Sequence, residues 1–444
     1  MDLLMRDTIA ACATAPGAAG IAVVRMSGPE AEDILRQVFI PRVKVDRFEH
    51  GKLYLGTLRN SGGAVDECMA VIMRTPKSYT RQDVAELQLH GSAYTVNACL
   101  NILIAAGARL AEPGEFTMRA FLNGRIDLSQ AESVMALIQA NSERANHSAM
   151  RQLNGGASQF IADMQAEVLS ILAMVEAAID YPEEVDDPAE DDRLAGQCRA
   201  LSRRLRDAVQ ERAARLVRDG LHIALLGPPN AGKSTLLNAL LGEDKAIVTE
   251  IPGTTRDVLS GQFTLDGYSV ILYDTAGIHE AADQIERLGI DRSYRTAASA
   301  DMLWWLTDVT DSPAPPPALL TKSGIPLLRI YTKADQLPAD ASTPKDGLLI
   351  SARTGQGLNE LKKYLKDVFA ELPDPPLTLQ RHMNAAKEAA ASLDEAAAAL
   401  ENHLSQEFAA VHLHSALDIL GRITGANTDE LLLDEIFSHF CVGK

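Results

Sequence analysis

The sequence predicts a mixed architecture: an α/β domain inserted into an all-α domain, with a small α+β domain ahead of both. Three observations carry this. Short apolar runs separated by Gly and Pro fill the chain from Thr8 to about Phe121. Helical periodicity begins near Asp127 and returns after the prolines of LPDPP at 372–376. Between the two helical stretches, from residue 220, strand-length and helix-length patterns alternate, as a parallel sheet with crossover helices requires.

The 444 residues allow two or three domains of ordinary size. Aromatics are scarce at 5% and alanine-rich stretches frequent, which favours helix over sandwich or barrel. No segment holds the ~20 apolar residues of a membrane span. The opening MDLLMRDTIAACATAPG carries acidic residues and lacks a basic flank with a long apolar run or an Arg-rich leader, so a cytoplasmic protein is expected. Five widely spread cysteines, at 12, 68, 99, 198 and 441, argue against a disulfide framework or a zinc site. A net charge of −18 argues against a long electropositive groove, so any nucleic-acid contact is expected to be local or shared with a partner.

In the first domain, 1–123, GIAVVRMSG (20–28) and AVIMRTP (70–76) read as strands. The first helical half, 124–219, contains FIADMQAEVLSILAMVEAAID (160–180), with Ile161, Met164, Val168, Ile171, Leu172 and Val175 on one broad face that needs a partner. The acidic YPEEVDDPAEDD (181–192) reads as a solvated helix connection. RALSRRLRDAVQERAARLVRDG (199–220) reads as one helix closed by Gly220. The α/β domain, 220–371, shows strands in HIALLG (222–227), YSVILYDTAG (268–277), DMLWWLTD (301–308) and IPLLRIYTKAD (325–335). The second helical half, 372–444, opens with HMNAAKEAAASLDEAAAALENHL (382–404) and is expected to pack on the first.

GPPNAGKS (227–234) fits G-x-x-x-x-G-K-[ST], follows an apolar strand and precedes TLLNALLG. In that setting backbone N–H groups of Asn230, Ala231, Gly232, Lys233, Ser234 and Thr235 cradle phosphates. Lys233 reaches the β- and γ-phosphates and serves catalysis, and Ser234 ligates Mg²⁺. DTAG (274–277) ends a strand, so Asp274 can hold magnesium through water, with Thr275, Ala276 and the Gly277 N–H beside the γ-phosphate. PGTTRD (252–257) supplies a candidate mobile segment in which Thr255 completes the magnesium shell, and Thr249, Glu250, Ile251, Pro252, Gly253 and Thr254 are expected beside it at the GTP site. TKAD, Thr332, Lys333, Ala334 and Asp335, places a carboxylate where guanine offers its N1 and N2 hydrogens, which adenine lacks. Ser351, Ala352 and Arg353 can supply a backbone donor to the guanine oxygen. Together these elements predict a Ras-like P-loop GTPase domain. Ile278 follows DTAG, so the water-positioning glutamine of Ras-like enzymes is absent.

From DTIAACATAPGAAGIAVVRMSGPEA near the start to FCVGK at the end, the chain resembles the MnmE (TrmE) family of tRNA modification GTPases. The resemblance implies a homodimer of chains, each with an N-terminal folate-binding and dimerisation domain, a split helical domain and an inserted G domain. It implies K⁺ between the phosphates in place of an arginine finger, held by Asn230, Thr249, Ile251 and Thr254, and a water-orienting Glu286. The 5-formyltetrahydrofolate contacts, or those of a related tetrahydrofolate, fall on Arg25, Glu86, Arg125 and Lys444. The family's tail reaches the folate region, and Cys441 within it is open to a nucleophilic or a packing role. The implied role is building an aminomethyl or carboxymethylaminomethyl group at C5 of the wobble uridine (position 34) of certain tRNAs. An FAD-dependent partner subunit takes part, in a heterotetramer or larger assembly.

Three departures stand out. Thr332 replaces the usual asparagine that contacts guanine and braces the phosphate loop, so weaker nucleotide binding with guanine choice retained through Asp335 is expected. TAPG and LHGS differ from the family's common TPPG and LHGG, and FCVGK from FCIGK. A ribosome-assembly or signalling GTPase switch without modification activity remains an alternative, as does a scaffold with a vestigial nucleotide site.

Overall fold

The structure is a computed structural model. It describes residues 7–181, 188–243, 259–274, 298–311, 315–337, 344, 346–428 and 430–443. The chain divides into two compact units, one of Met1–Met135, Gln152–Ser202 and Glu388–Lys444, the other of Ala136–Arg151 and Arg203–Lys387.

The N-terminal part comprises β1 (Ile9–Cys12), β2 (Ala19–Ser27), α1 (Ala31–Val38), β3 (Phe39–Pro41), β4 (Tyr54–Asn60), β5 (Gly63–Met73), β6 (Val84–Gly91), α2 (Ala93–Ala105), β7 (Arg109–Leu110) and α3 (Glu115–Leu122). The strands form one sheet in the order β3-β4-β5-β6-β2-β1-β7. Alternation sets its two faces. Val24, Met26, Leu87 and Leu89 join the core with Ile34, Leu35 and Leu103 of α1 and α2, while Arg25 and Glu86, register partners on neighbouring strands, point to the other face. Ser92 caps α2 by accepting the Thr95 N–H at 3.0 Å. Arg119 and Glu115 are almost wholly buried on α3 and pair with each other, with Arg109 and with Asp7. Burial pushes the Glu115 carboxyl up, but Arg109 and Arg119 overcome this and hold it below its ordinary value.

The helical stretch continues as α4 (Leu128–Gln139), α5 (Glu143–Leu153), α6 (Gly156–Asp180), α7 (Pro188–Ala208) and α8 (Glu211–Asp219). Asp127 and Gln130 cap α4 reciprocally: the Gln130 N–H donates to Asp127 Oδ1 and the Asp127 N–H to Gln130 Oε1, both at 2.9 Å. The six apolar residues expected on one face of α6 are all buried. Two expectations need correction. The acidic stretch is a connection only in part, because Pro188 onward is already helical and Glu190 and Asp191 occupy the first turn of α7, where the helix dipole favours them. The expected single helix over 199–220 is two helices. The Val209 N–H closes on the Arg206 carbonyl at 3.1 Å, and α8 restarts so that Leu216 and Val217 enter the core of the following sheet. Neither Gly nor Pro marks that break; packing makes it. Gly220 does close α8, at φ +88, donating its N–H to the Leu216 carbonyl.

The α/β part comprises β8 (Leu221–Leu226), α9 (Lys233–Glu243), β9 (Leu259–Leu265), β10 (Tyr268–Asp274), β11 (Met302–Asp308), α10 (Ala318–Thr321), β12 (Leu327–Thr332), β13 (Leu348–Leu349) and α11 (Leu358–Ala370). Its sheet runs β13-β12-β11-β8-β10-β9, parallel except for edge strand β9, which forms an antiparallel hairpin with β10. Trp304, Leu306, Ile223 and Leu225 are central to its core.

Three helices follow: α12 (Gln380–Glu401), α13 (Gln406–Thr424) and α14 (Glu430–Ser438). The partner that α6 requires is α13, which buries Ala409, Leu413, Ala416 and Leu420. α12 ties to α7 through Arg199, which pairs with Asp394 and Glu401, and through the Ser202 hydroxyl, which donates to the Ala390 carbonyl. Among the described residues, no helix is long and apolar enough to cross a membrane.

Candidate GTP-binding site and a second cluster at the N-terminal sheet

The phosphate loop joins β8 to α9, so its backbone N–H groups lie at a helix N-terminus backed by a buried parallel sheet. Its glycines are sterically required. A Cβ on Gly227, at φ +143, would lie 2.2 Å from the Leu306 carbonyl oxygen. Gly232 holds φ +82 and Asn230 the left-handed φ +62. Lys233 is only 6% exposed, and its Nζ donates to the carbonyls of Gly227 at 2.9 Å and Pro228 at 2.8 Å. Burial pushes its pKa down while the Asp274 carboxylate opposes the shift. Asp274 is fully buried at the end of β10 and accepts the Ser234 hydroxyl at 2.6 Å. A lysine and a hydroxyl from the loop and a carboxylate from the end of β10 therefore converge at the mouth of the loop.

The base-recognition elements meet this loop from β12. Asp335 accepts the Ser351 hydroxyl at 2.6 Å, so the TKAD and SAR segments form one unit. The Ser351 N–H is used internally, donating to the Gln356 carbonyl, which leaves Ala352 and Arg353 as the candidate backbone donors to guanine. Lys333, at φ +59, pairs with Asp308. Burial raises the Asp308 carboxyl, but Lys333 and the Thr310 N–H and hydroxyl hold it below its ordinary value. Asp308 is a residue the motifs do not flag. Its signal is its place at the end of the DMLWWLTD strand, level with Thr332 on β12.

Thr332 is where the structure refines expectation. Its hydroxyl is 2.8 Å from the Ala231 carbonyl and 3.2 Å from that of Thr307, so the brace of the phosphate loop persists without the asparagine. What a hydroxyl cannot supply is the further reach of an amide. Thr332→Val, which keeps the shape and removes the donor, is expected to weaken GTP binding about fivefold, the worth of ~1 kcal/mol for one hydrogen bond. Nucleotide titration reads this, and affinity within twofold of the parent would show that the brace does not matter.

Thr249, Glu250, Ile251, Pro252, Gly253, Thr254, Thr255, Thr275, Ala276, Gly277, Glu286 and Lys444 lie outside the described residues.

At the N-terminal sheet, Arg25 Nε donates to Glu86 Oε1 at 2.7 Å. The Arg25 and Arg125 guanidinium groups lie 5.5 and 4.7 Å from the centre of the Tyr79 ring. The structure thus brings Arg25, Glu86 and Arg125 together, with Tyr79 as an unanticipated centre. In an aromatic-poor chain, the polar context of KSYTRQD is the hint the sequence offers. Tyr79 also packs against the cluster formed by Phe437 and Phe440 with Ala120, Ile126 and Leu128. The tail is docked there. The Gly114 N–H donates to the Cys441 carbonyl at 3.4 Å, and Gly443 passes so close to β1 that a Cβ would lie 2.4 Å from the Cys12 carbonyl oxygen. Cys441 itself is exposed, whereas burial pushes the Cys68 and Cys198 thiols up to about 12.

Two family models match: "MnmE helical domain" over residues 128–441 and "GTP-binding protein TrmE N-terminus" over 8–125. The chain belongs to the MnmE (TrmE) family. A tRNA modification GTPase MnmE from Synechococcus sp. (strain RCC307) is 42% identical over 100% of both chains, and one from Syntrophotalea carbinolica is 41% identical over 99% of both. Among solved structures, the G domain of the T. maritima FeoB iron transporter is similar over 34% of this chain and 99% of its own, at 27% identity and TM-score 0.26. As a member of the MnmE family, the chain is a GTP hydrolase acting in tRNA modification.

Proposed function

We propose that this chain is a potassium-dependent GTPase whose cycle drives modification of C5 of the wobble uridine, position 34, in certain tRNAs. The proposal includes action as a homodimer in the cytoplasm, with an FAD-dependent partner subunit and a tetrahydrofolate one-carbon donor. It also takes 1–123 as the folate-binding and dimerisation domain, 220–371 as the G domain, and 124–219 with 372–444 as the helical domain. The carrying observation is that Lys233, Ser234 and Asp274 converge on one phosphate loop in a chain whose relatives match it end to end.

The residues present fit the groups this reading needs. Ser234 and Asp274 offer oxygen donors 2.6 Å apart, the hard chemistry that suits Mg²⁺, with Thr255 to complete the set. Exposed Asn230 offers an amide oxygen toward K⁺, with Thr249, Ile251 and Thr254. When bound, the two cations neutralise charge developing on the phosphates. Lys233 exchanges its two loop carbonyls for phosphate oxygens, Glu286 orients the attacking water, and Asp335 selects guanine. At the sheet, Glu86 accepts from pterin N–H groups and Arg25 and Arg125 pair with carbonyl or carboxylate oxygens, with Lys444 as a further expected contact to the cofactor.

Turnover measured in matched potassium and sodium buffers tests the first part, and equal rates in both would reject it. For the second, cells lacking the chain are complemented with the full protein or with one ending at residue 440. The shortened chain is expected to hydrolyse GTP normally while wobble uridines stay unmodified by mass analysis. Normal modification would reduce the docked tail to packing.

A further inference from the structure

Lys333 holds φ +59 and ψ +39, a left-handed conformation that glycine, asparagine and aspartate enter far more readily than lysine. That turn has a use. It ends β12 so that the Ala334 N–H reaches the Ile350 carbonyl at 3.1 Å and the Asp335 carboxylate meets the Ser351 hydroxyl at 2.6 Å. The base-selecting carboxylate therefore depends on a strained residue two positions earlier, which neighbouring structure has to hold in place. The end of β11 supplies the hold. The Val309 N–H donates to the Thr332 carbonyl at 3.1 Å, the Thr307 carbonyl accepts the Thr332 hydroxyl at 3.2 Å, and Asp308 between them accepts the Lys333 ammonium. Asp308 is set for this task. Its Oδ1 accepts the Thr310 N–H at 2.9 Å and the Thr310 hydroxyl at 2.8 Å, which fixes the plane of the carboxylate and turns Oδ2 toward Lys333. The Asp308 side chain is only 8% exposed, so the pair is screened less than a fully exposed one.

We propose that Asp308 is a positioning residue for guanine recognition: by pairing with Lys333 it holds the left-handed turn that aims Asp335 at the base, a proposal that rests on Asp335 reading guanine. Thr332 increases the demand on that pair. A threonine hydroxyl reaches less far than an asparagine amide, so the turn is held less firmly from the side of the phosphate loop and more of its alignment falls on Asp308. Asp308 touches no nucleotide in this role. It acts through Lys333, and its removal leaves a strained lysine free to relax toward the ordinary backbone regions, carrying Asp335 away from Ser351 and from the edge of guanine.

The test compares binding of GTP and of inosine triphosphate, which lacks the 2-amino group, to the full chain and to its Asp308→Ala, Lys333→Gly and doubly substituted variants. The parent is expected to prefer GTP by about tenfold or more, the worth of one charge-assisted hydrogen bond. Asp308→Ala is expected to weaken GTP binding about tenfold and to narrow that preference about threefold or more, with the loss falling on KM and not on kcat. Glycine takes the left-handed turn unaided, so in the Lys333→Gly background the same substitution is expected to weaken binding by no more than about twofold. Equal losses in both backgrounds, or an unchanged preference for GTP in Asp308→Ala, reject the role of Asp308. A parent that binds both triphosphates alike overturns instead the reading of Asp335 on which the proposal rests. Should Asp308→Ala fail to fold, Asp308→Asn decides in the same cycle, because it keeps an oxygen for Thr310 and loses the charge: a loss of about fivefold that vanishes with Lys333→Gly is expected, and no loss rejects the proposal.

Discussion

Lys233→Ala is expected to lower kcat/KM for GTP by on the order of 10³ while leaving the fold intact. The side chain lies almost wholly inside the loop, and its ammonium is satisfied by two carbonyls that face the place where phosphates belong. Burial already weakens its hold on a proton, and Asp274 only partly restores it. The arrival of several negative oxygens turns that unfavourable burial into attraction, which is why so much of the effect should fall on phosphate binding and transfer. Alanine leaves the carbonyls of Gly227 and Pro228 without this donor and the phosphates without their nearest cation. Steady-state turnover with nucleotide titration separates the two losses. A variant that binds and hydrolyses GTP like the parent would remove Lys233 from the site.

Asp335→Asn is expected to weaken GTP binding by ~10²-fold or more and to improve the relative binding of xanthosine triphosphate. Ser351 already donates to one carboxylate oxygen, which fixes the plane of the group. Guanine presents two N–H donors to such a carboxylate, each charge-assisted bond being worth about 1.5–3 kcal/mol. An amide in the same plane presents one acceptor and one donor, so it meets guanine N2–H with the wrong partner and matches the carbonyl of xanthine. Competition between the two triphosphates reads this directly. Equal losses for both would mean that Asp335 supports the loop and does not read the base.

Much of this site is legible in the sequence alone. The glycines of GPPNAGKS and the strand before it leave few placements for Lys233 and Ser234, and an aspartate closing an apolar run has to emerge at the same sheet edge. The six-residue face of α6 is equally plain, because helical period and burial coincide. Other features depend on contacts between segments far apart in sequence. The break between α7 and α8 has no local marker and follows from Leu216 and Val217 turning into the sheet core. The Thr332 brace requires knowing that β12 brings a hydroxyl within 2.8 Å of a carbonyl about 100 residues earlier. Tyr79 becomes central only when β2, α3 and the tail are assembled around one ring.

The docked tail has a consequence in time. Residues 437–443 complete the packing around Ala120, Ile126 and the end of β1, yet the ribosome makes them about 430 residues after Cys12. At roughly 5–20 residues per second, that is on the order of 20 to 90 s of synthesis. The sheet can fold early, but the cluster beside Tyr79 stays open on one side until the tail is made. A nascent or prematurely stopped chain would carry a complete phosphate loop and an unfinished N-terminal site, so hydrolysis could precede any chemistry that depends on that site. The approach of Gly443 to β1, where a Cβ would lie 2.4 Å from the Cys12 carbonyl oxygen, is therefore among the last contacts of the N-terminal cluster to form.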